Sequence, residues 1–238
     1  MRINRFLAQS GLASRRKCDS FIKNKLIRVN GMIVTDYSYQ VSFDDIVLYK
    51  NRLIEFENNF QYYLLNKPKG FICSNNDPQR RKTVYALLPK ATRIFSIGRL
   101  DYDTTGLLLL TNDGDFSNFL CHPKNNILKK YYVETKSKIN KEDILKIKNG
   151  IILKPKIKVK ADIFYDGYEK QKHKWEVHLS EGKNREIKRI FAHFDVQVTL
   201  IHRFEFANLQ LGKIKDGKYK LLPHNLIESI KNKYGYEK

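Results

Sequence analysis

Over the first 55 residues apolar positions recur at helical spacing and then in short extended runs. Ile3, Phe6 and Leu7 mark a helix from Arg2 to Gln9 that Gly11 stops. Ser14 can cap a second helix from Arg15 to about Asn24, with Cys18, Phe21 and Ile22 on one face. Arg15, Arg16 and Lys23 fall on the opposite face. Leu26 to Val34 then divides at Asn30-Gly31. Asn-Gly between two apolar segments predicts a hairpin, because a type I′ turn needs positive φ at both central residues. Another strand pair is expected between Asp45 and Ile54. Residues 55–61, Glu-Phe-Glu-Asn-Asn-Phe-Gln, read as the linker, giving two domains, 1–55 and 61–233.

Past the linker, Tyr62 to Asn66 reads as a strand entering the turn Lys67-Pro68-Lys69-Gly70. Thr83 to Leu88 predicts a short helical turn before Pro89. Leu107 to Leu110 is an apolar run bounded by a polar loop and by Asn112-Asp113-Gly114. Such a run reads best as a strand buried on both faces. Asp115 can cap a helix through Phe116, Phe119 and Leu120, ended by Pro123. Lys129 to Glu134 alternates as a strand does, with Tyr131 and Val133 on one face and Tyr132 on the other. A helix follows from Asn140 to Gly150, then strands at Val159–Tyr165 and Trp175–Leu179. Ile187, Ile190, Phe191 and Phe194 keep the i, i+3, i+4, i+7 spacing of a helix laid on a sheet, and His224 to Lys233 reads as a surface helix. The expected class is α+β: a small N-terminal domain of helices and hairpins, then a mainly antiparallel mixed sheet with flanking helices.

Composition sharpens this. With 42% hydrophobic residues, 14 Phe and 14 Tyr among 238, the chain can fill a core and is not compositionally disordered. Its 45 Lys and Arg against 25 Asp and Glu leave a formal charge of +20, which favours a polyanionic partner, nucleic acid well ahead of an anionic membrane surface. Residues 1–60 hold 10 basic and 6 acidic residues and the remainder 35 and 19, so both parts suit the same polyanion. No apolar run approaches the ~20 residues that cross a bilayer, and the N-terminus is basic and amphipathic rather than a secretory signal. Cys18, Cys73 and Cys121 are odd in number and far apart, without Cys-x-x-Cys. They read as small packing hydrophobes in a reducing cytoplasm.

The loop ahead of the leucine run is a rigid mount for a side chain that must be placed accurately, and Asp101 is the candidate. Asp101, Asp103, Asp113 and Asp115 also admit a magnesium reading, although Asn112–Asp115 is ordinary turn and cap chemistry. A non-catalytic RNA binder, such as a ribosome-assembly factor, would share the basic surfaces without needing Asp101.

Gly98-Arg99-Leu100-Asp101, Asp103-Thr104-x-Gly106-Leu107-Leu108 and Thr111-Asn112-Asp113-Gly114 together resemble the signature of ribosomal RNA pseudouridine synthases of the small-subunit-synthase-A and large-subunit-synthase-B type. Asn66-Lys67-Pro68-x-Gly70 is similar to that family's first motif. Glu181-Gly182-x-Asn184-Arg185-x-Ile187-x-Arg189 is similar to its third, with Glu186 where glutamine is usual. The resemblance implies that Asp101 is catalytic, that Arg185 pairs with it and that Tyr131 stacks on the target base. Arg99 would fill the place the base vacates, and Lys129 would join the substrate contacts; Lys67 and Lys69, in their turn, suit phosphate contacts of the substrate. Burial alone would neutralise an aspartate, and a guanidinium within ~4–6 Å would hold it ionised.

Ala13-Ser14-Arg15-Arg16 and Val29-Asn30-Gly31 resemble the RNA-binding module named after ribosomal small-subunit protein four. Arg15, Arg16, Lys17 and Arg189 are then RNA contacts, against the plainer reading of a solvated helix face. Lys17 stands where that module commonly places an acid able to close a capping box. No cofactor or metal is expected. The expected partner is ribosomal RNA or a subunit precursor met by a monomer in the cytoplasm, and Asn76-Asp77-Pro78 with Thr83-Val84-x4-Pro89 leans towards the large subunit.

Overall fold

In the computed structural model, which describes residues 1–42, 44–74, 77–89 and 93–236, Asn30 and Gly31 take φ of 51° and 83°. This is the left-handed turn that the Asn-Gly pair predicts, and it joins β1 (Ile27–Val29) to β2 (Met32–Ile33). A second hairpin, β3 (Val47–Tyr49) and β4 (Arg52–Leu53), completes a four-stranded sheet in the order β2-β1-β3-β4. Ile3 and Leu7 of α1 (Ile3–Gln9) and Cys18 and Ile22 of α2 (Arg15–Lys23) share a core with Ile27, Val29 and Val47. Ser14 Oγ accepts the Lys17 amide at 3.2 Å, so the cap forms without an acid at the third position.

The chain divides into two compact units. One is built on Met1–Gln61 and takes in Asn112–Gly114; the other comprises Tyr62–Pro89, Ile94–Thr111 and the chain from Asp115 onward. The second unit carries β5 (Tyr62–Lys67), β6 (Phe95–Ser96), β7 (Thr105–Thr111), β8 (Lys129–Thr135) and a hairpin of β9 (Ile151–Leu153) with β10 (Ile157–Val159). β11 (Asp162–Glu169), β12 (Lys172–Leu179), β13 (Val198–Phe206), β14 (Leu209–Gln210) and β15 (Tyr219–Leu221) follow. The large sheet runs β11-β12-β8-β13-β7-β5-β15, with β6 on β7 and β14 on β13. Its pairings are antiparallel except β13 with β7. The α+β expectation is borne out.

All four leucines of β7 are buried, as a strand covered on both faces requires. Leu108 and Leu110 enter a core with Tyr131, Trp175, Ile187 and Ile190, the last two from α5 (Glu186–Ala192). Trp175 donates its Nε1–H to Thr135 Oγ1 at 2.8 Å, so its polar atom is satisfied inside that core.

Several elements depart from the pattern reading. The single strand expected at Val159–Tyr165 is two, because β10 ends at Val159 and β11 begins at Asp162 in a different sheet. β13 carries His202, Arg203 and Glu205 through the sheet interior, and these polar residues mask the apolar signal of a strand. α3 (Gly114–Cys121) starts early enough that Asp115 sits in its first turn instead of capping it. α4 (Lys141–Asn149) is capped as expected, with Asn140 Oδ1 accepting the Asp143 amide at 2.7 Å. α6 (His224–Lys233) buries Ile227 and Ile230 and is therefore docked on the unit through one face. Asn76 of the Asn76-Asp77-Pro78 segment lies outside the described residues; Asp77 is paired with Arg81 at 2.7 Å. Among the described residues no helix is long and apolar enough to cross a membrane.

Candidate active site

The loop ahead of β7 is held from the side of Asn66-Lys67-Pro68-Lys69-Gly70. Lys67 is 0% exposed, and its Nζ donates to the Thr104 carbonyl at 2.8 Å and the Pro68 carbonyl at 3.1 Å. Gly70, at φ 84°, donates its amide to the Tyr102 carbonyl at 2.8 Å. Cys73 Sγ lies 3.5 Å from both the amide and the carbonyl of Leu100. The Thr104 amide returns to the Asp101 carbonyl at 3.2 Å and closes the turn. The loop is thereby pinned on either side of Asp101.

This corrects the expectation for Lys67, which cannot reach a phosphate. Burial lowers its pKa, opposed by Cys73, Asp103, Asp101 and Asp216, and its ammonium serves as an internal brace. Lys67→Met keeps the length and removes the donors, leaving the buried Thr104 carbonyl and the partly buried Pro68 carbonyl without them. The expected loss is about 1–3 kcal/mol of stability, with kcat falling more than KM rises. Unchanged urea unfolding and turnover would show that the brace is dispensable.

Asp101, half-buried, lines a cleft of about 330 Å³ together with Arg99, Lys129, Tyr131, Arg185 and Arg203. That volume lies at the lower end of the ~300–1,000 Å³ typical of ligand clefts. Five of the sequence-predicted residues therefore share one concavity. Their pairing differs from expectation. Among the described residues no ion pair within 4 Å joins Asp101 to Arg185. In this loop it is Asp103 that has a cationic partner, its Oδ1 accepting from Lys188 Nζ at 2.6 Å. Burial pushes Asp103 up, but the Lys188 ammonium, aided by Arg185, leaves its carboxyl below the ordinary value. The reason is local: Arg185 precedes α5 with a left-handed backbone, φ 51°, and is exposed, whereas Lys188 lies in the first turn of the helix.

Tyr131 is 7% exposed and sits on β8 between Val177 of β12 and Arg203 of β13. Lys129, two residues earlier, donates to the Ile127 carbonyl at 2.9 Å and lies over the Phe206 ring. Burial and the Arg203 charge push its pKa down to about 8. Arg203 was not singled out by the sequence reading. It is 2% exposed, with Nε donating to the Leu107 carbonyl at 2.7 Å and its guanidinium over Phe206. The available signal was an arginine two positions from Ile201 in an apolar-polar alternation; a charge at a core register is costly without a task.

Cys18 packs in the core of the first unit as expected, whereas Cys121 is exposed and lines the cleft. Arg15, Arg16 and Lys17 are exposed on the first turn of α2. Arg189 is half-buried and donates to the Lys154 carbonyl. Among the described residues no three of His, Cys, Asp and Glu gather as a metal site.

Comparison with known proteins bears on what this cleft does. Residues 61–193 match the family described as RNA pseudouridylate synthase, and residues 1–47 match the S4 domain. The ribosomal large subunit pseudouridine synthase B of Bacillus subtilis is 37% identical over 94% of this chain and 93% of its own. The ribosomal small subunit pseudouridine synthase A of Haemophilus influenzae is 31% identical over 97% and 99%. An RNA pseudouridine synthase of Borreliella burgdorferi reaches 38% over 98% and 94%. A solved pseudouridylate synthase structure superposes with a TM-score of 0.69 at 29% identity, covering 97% of this chain and 99% of that one.

Proposed function

The chain belongs to the RNA pseudouridylate synthase family and carries an S4 domain, and from that premise we propose that it isomerises a specific uridine of ribosomal RNA with Asp101 as the catalytic carboxylate. The observation that carries the reading is the placement of Asp101: it lines an open cleft from a loop braced by Lys67, Gly70 and Cys73. Pseudouridine formation breaks the bond between uracil and ribose, turns the base and rejoins it through carbon. No electrons are transferred and no energy carrier is consumed, so one carboxylate, a base platform and phosphate contacts suffice.

A uridine within folded RNA must first leave its stack, at a cost of a few kcal/mol. Stacking on an aromatic ring returns ~1–3 kcal/mol, the part given to Tyr131. Arg99, Lys129, Arg185 and Arg203 make the cleft strongly cationic, which suits a phosphate backbone. Arg185 lines the same cleft as Asp101 without an ion pair to it among the described residues, and its charge is assigned to the RNA.

Ribosomal RNA of the large subunit is the preferred substrate. The Asp77-Pro78 and Thr83-Val84 segments favour it, as does the higher identity to the Bacillus synthase B than to the Haemophilus synthase A. Mapping pseudouridines in ribosomal RNA from cells with and without the protein tests this directly. A site lost from large-subunit RNA is the expected result; an unchanged map in both subunits overturns the function.

The exposed cluster on α2 is assigned to RNA phosphates. Replacing Arg15, Arg16 and Lys17 together by alanine keeps a good helix former at each position. Each lost phosphate contact flattens the slope of log K against log salt by about 0.7–0.9, so the expected change is roughly 2 to 3. An unaltered slope would remove these residues from the interface.

A further inference from the structure

Glu186 is a carboxylate in an unusual place. It opens α5, is 4% exposed and lines the cleft. Oε2 accepts the Lys183 amide at 2.9 Å. Oε1 is buried without a hydrogen-bond partner among the described residues. We propose that Glu186 is a positioning residue that works as a neutral acid, with Oε2 taking the Lys183 amide and Oε1 carrying a proton towards Glu181, which closes the turn that seats Arg185 in the cleft.

The charges around it support a neutral form. On its own turn, Glu181 is held by Lys183 at 2.7 Å. From β8 it faces Lys129, whose Nζ is committed to the Ile127 carbonyl, and from β13 Arg203, whose Nε is committed to Leu107. Cys121 of α3, Tyr131 of β8, and Arg99 and Asp101 of the loop before β7 also line the cleft, while Lys188 is spent on Asp103. Among the described residues none of these cations pairs with Glu186 within 4 Å. An ionised Glu186 would thus be a buried, unpaired charge beside the Glu181 carboxylate, the costliest arrangement available.

Burial pushes the Glu186 carboxyl up to about 7; the Lys183 amide opposes this, and the Glu181 carboxylate adds to it. Because that value lies above the ordinary 4.5, the stabilisation is complete below 4.5 and is lost as the pH rises through about 7. Glutamine offers one donor and one acceptor in the same shape. Glutamate matches it only while protonated. Above neutrality two carboxylates face each other across the turn, and the left-handed Arg185 between Lys183 and α5 loses its seat.

The inference rests on the cleft being the synthase active site, so its test has an arm free of activity. Infrared titration of protein labelled with ¹³C-glutamate, without RNA, follows the neutral carboxyl band that Glu186→Gln removes. The expected midpoint is about 7 and moves down in Glu181→Gln. A midpoint below 5.5, or one indifferent to Glu181→Gln, overturns the shared proton. In single-turnover assays the wild type should lose roughly twentyfold between pH 6 and 8, about tenfold from Glu186 and twofold from Lys129, while Glu186→Gln keeps only the twofold loss at Lys129's own step near 8. Glu186→Ala, lacking donor and acceptor, should be slow at every pH. An alkaline limb identical in wild type and Glu186→Gln overturns the positioning role. Absence of product at every pH with the infrared titration intact overturns the synthase reading while upholding the neutral acid.

Discussion

Asp101→Asn is expected to bind ribosomal RNA as the wild type does and to form no pseudouridine. The two side chains have nearly the same shape, and Asp101 has no hydrogen bond or ion pair through its carboxylate among the described residues, so little structure is lost with the charge. What disappears is the carboxylate oxygen that the proposed chemistry uses. Loss of a group at the reacting atoms is set at 10⁴-fold or more, which at ~1.36 kcal/mol per tenfold is about 5.5 kcal/mol of barrier. Equal RNA affinity by filter binding, with no product by chemical mapping, separates this from a folding defect. Normal product from the variant would remove Asp101 from the mechanism.

The second large effect is structural. Gly106→Ala should destabilise the second unit by about 4 kcal/mol or prevent its folding, against a total of ~5–15 kcal/mol for a domain. A Cβ at Gly106 would fall 2.2 Å from the Arg203 carbonyl oxygen and 2.8 Å from the Arg203 nitrogen, in a backbone with φ of 101°. Both neighbours are main chain and cannot step aside. The contact lies in the parallel junction, β13 with β7, where Arg203 pairs with Gly106. The same register lets Arg203 Nε reach the Leu107 carbonyl. Trp175, the single tryptophan, is buried in this unit, so its fluorescence reports the transition without interference from the first. A urea midpoint equal to the wild type would show that the strands can separate at no cost.

Much of this was legible in the chain. The Asn30-Gly31 hairpin, the Ser14 cap, the doubly buried leucine strand and the α5 stripe follow from local rules that neighbouring residues satisfy among themselves. The clustering of Asp101, Tyr131 and Arg185 was legible only as a resemblance across three separated motifs. β13 was not, because Arg203 and Glu205 are polar residues placed inside, and their tolerance depends on partners far away in sequence.

By itself the sequence determined the helices, hairpins and leucine strand, the basic charge that suits a polyanion, and the motif block on which the proposal for Asp101 rests. Tertiary structure alone decided that Lys67 is a brace and not a phosphate ligand, that Lys188 takes Asp103 instead of Arg185 taking Asp101, and that Glu186 is buried with an unpartnered oxygen. Periodicity and turn chemistry are properties of adjacent residues, whereas the partner, burial and protonation of a charged group depend on which distant segments the sheet register sets against it.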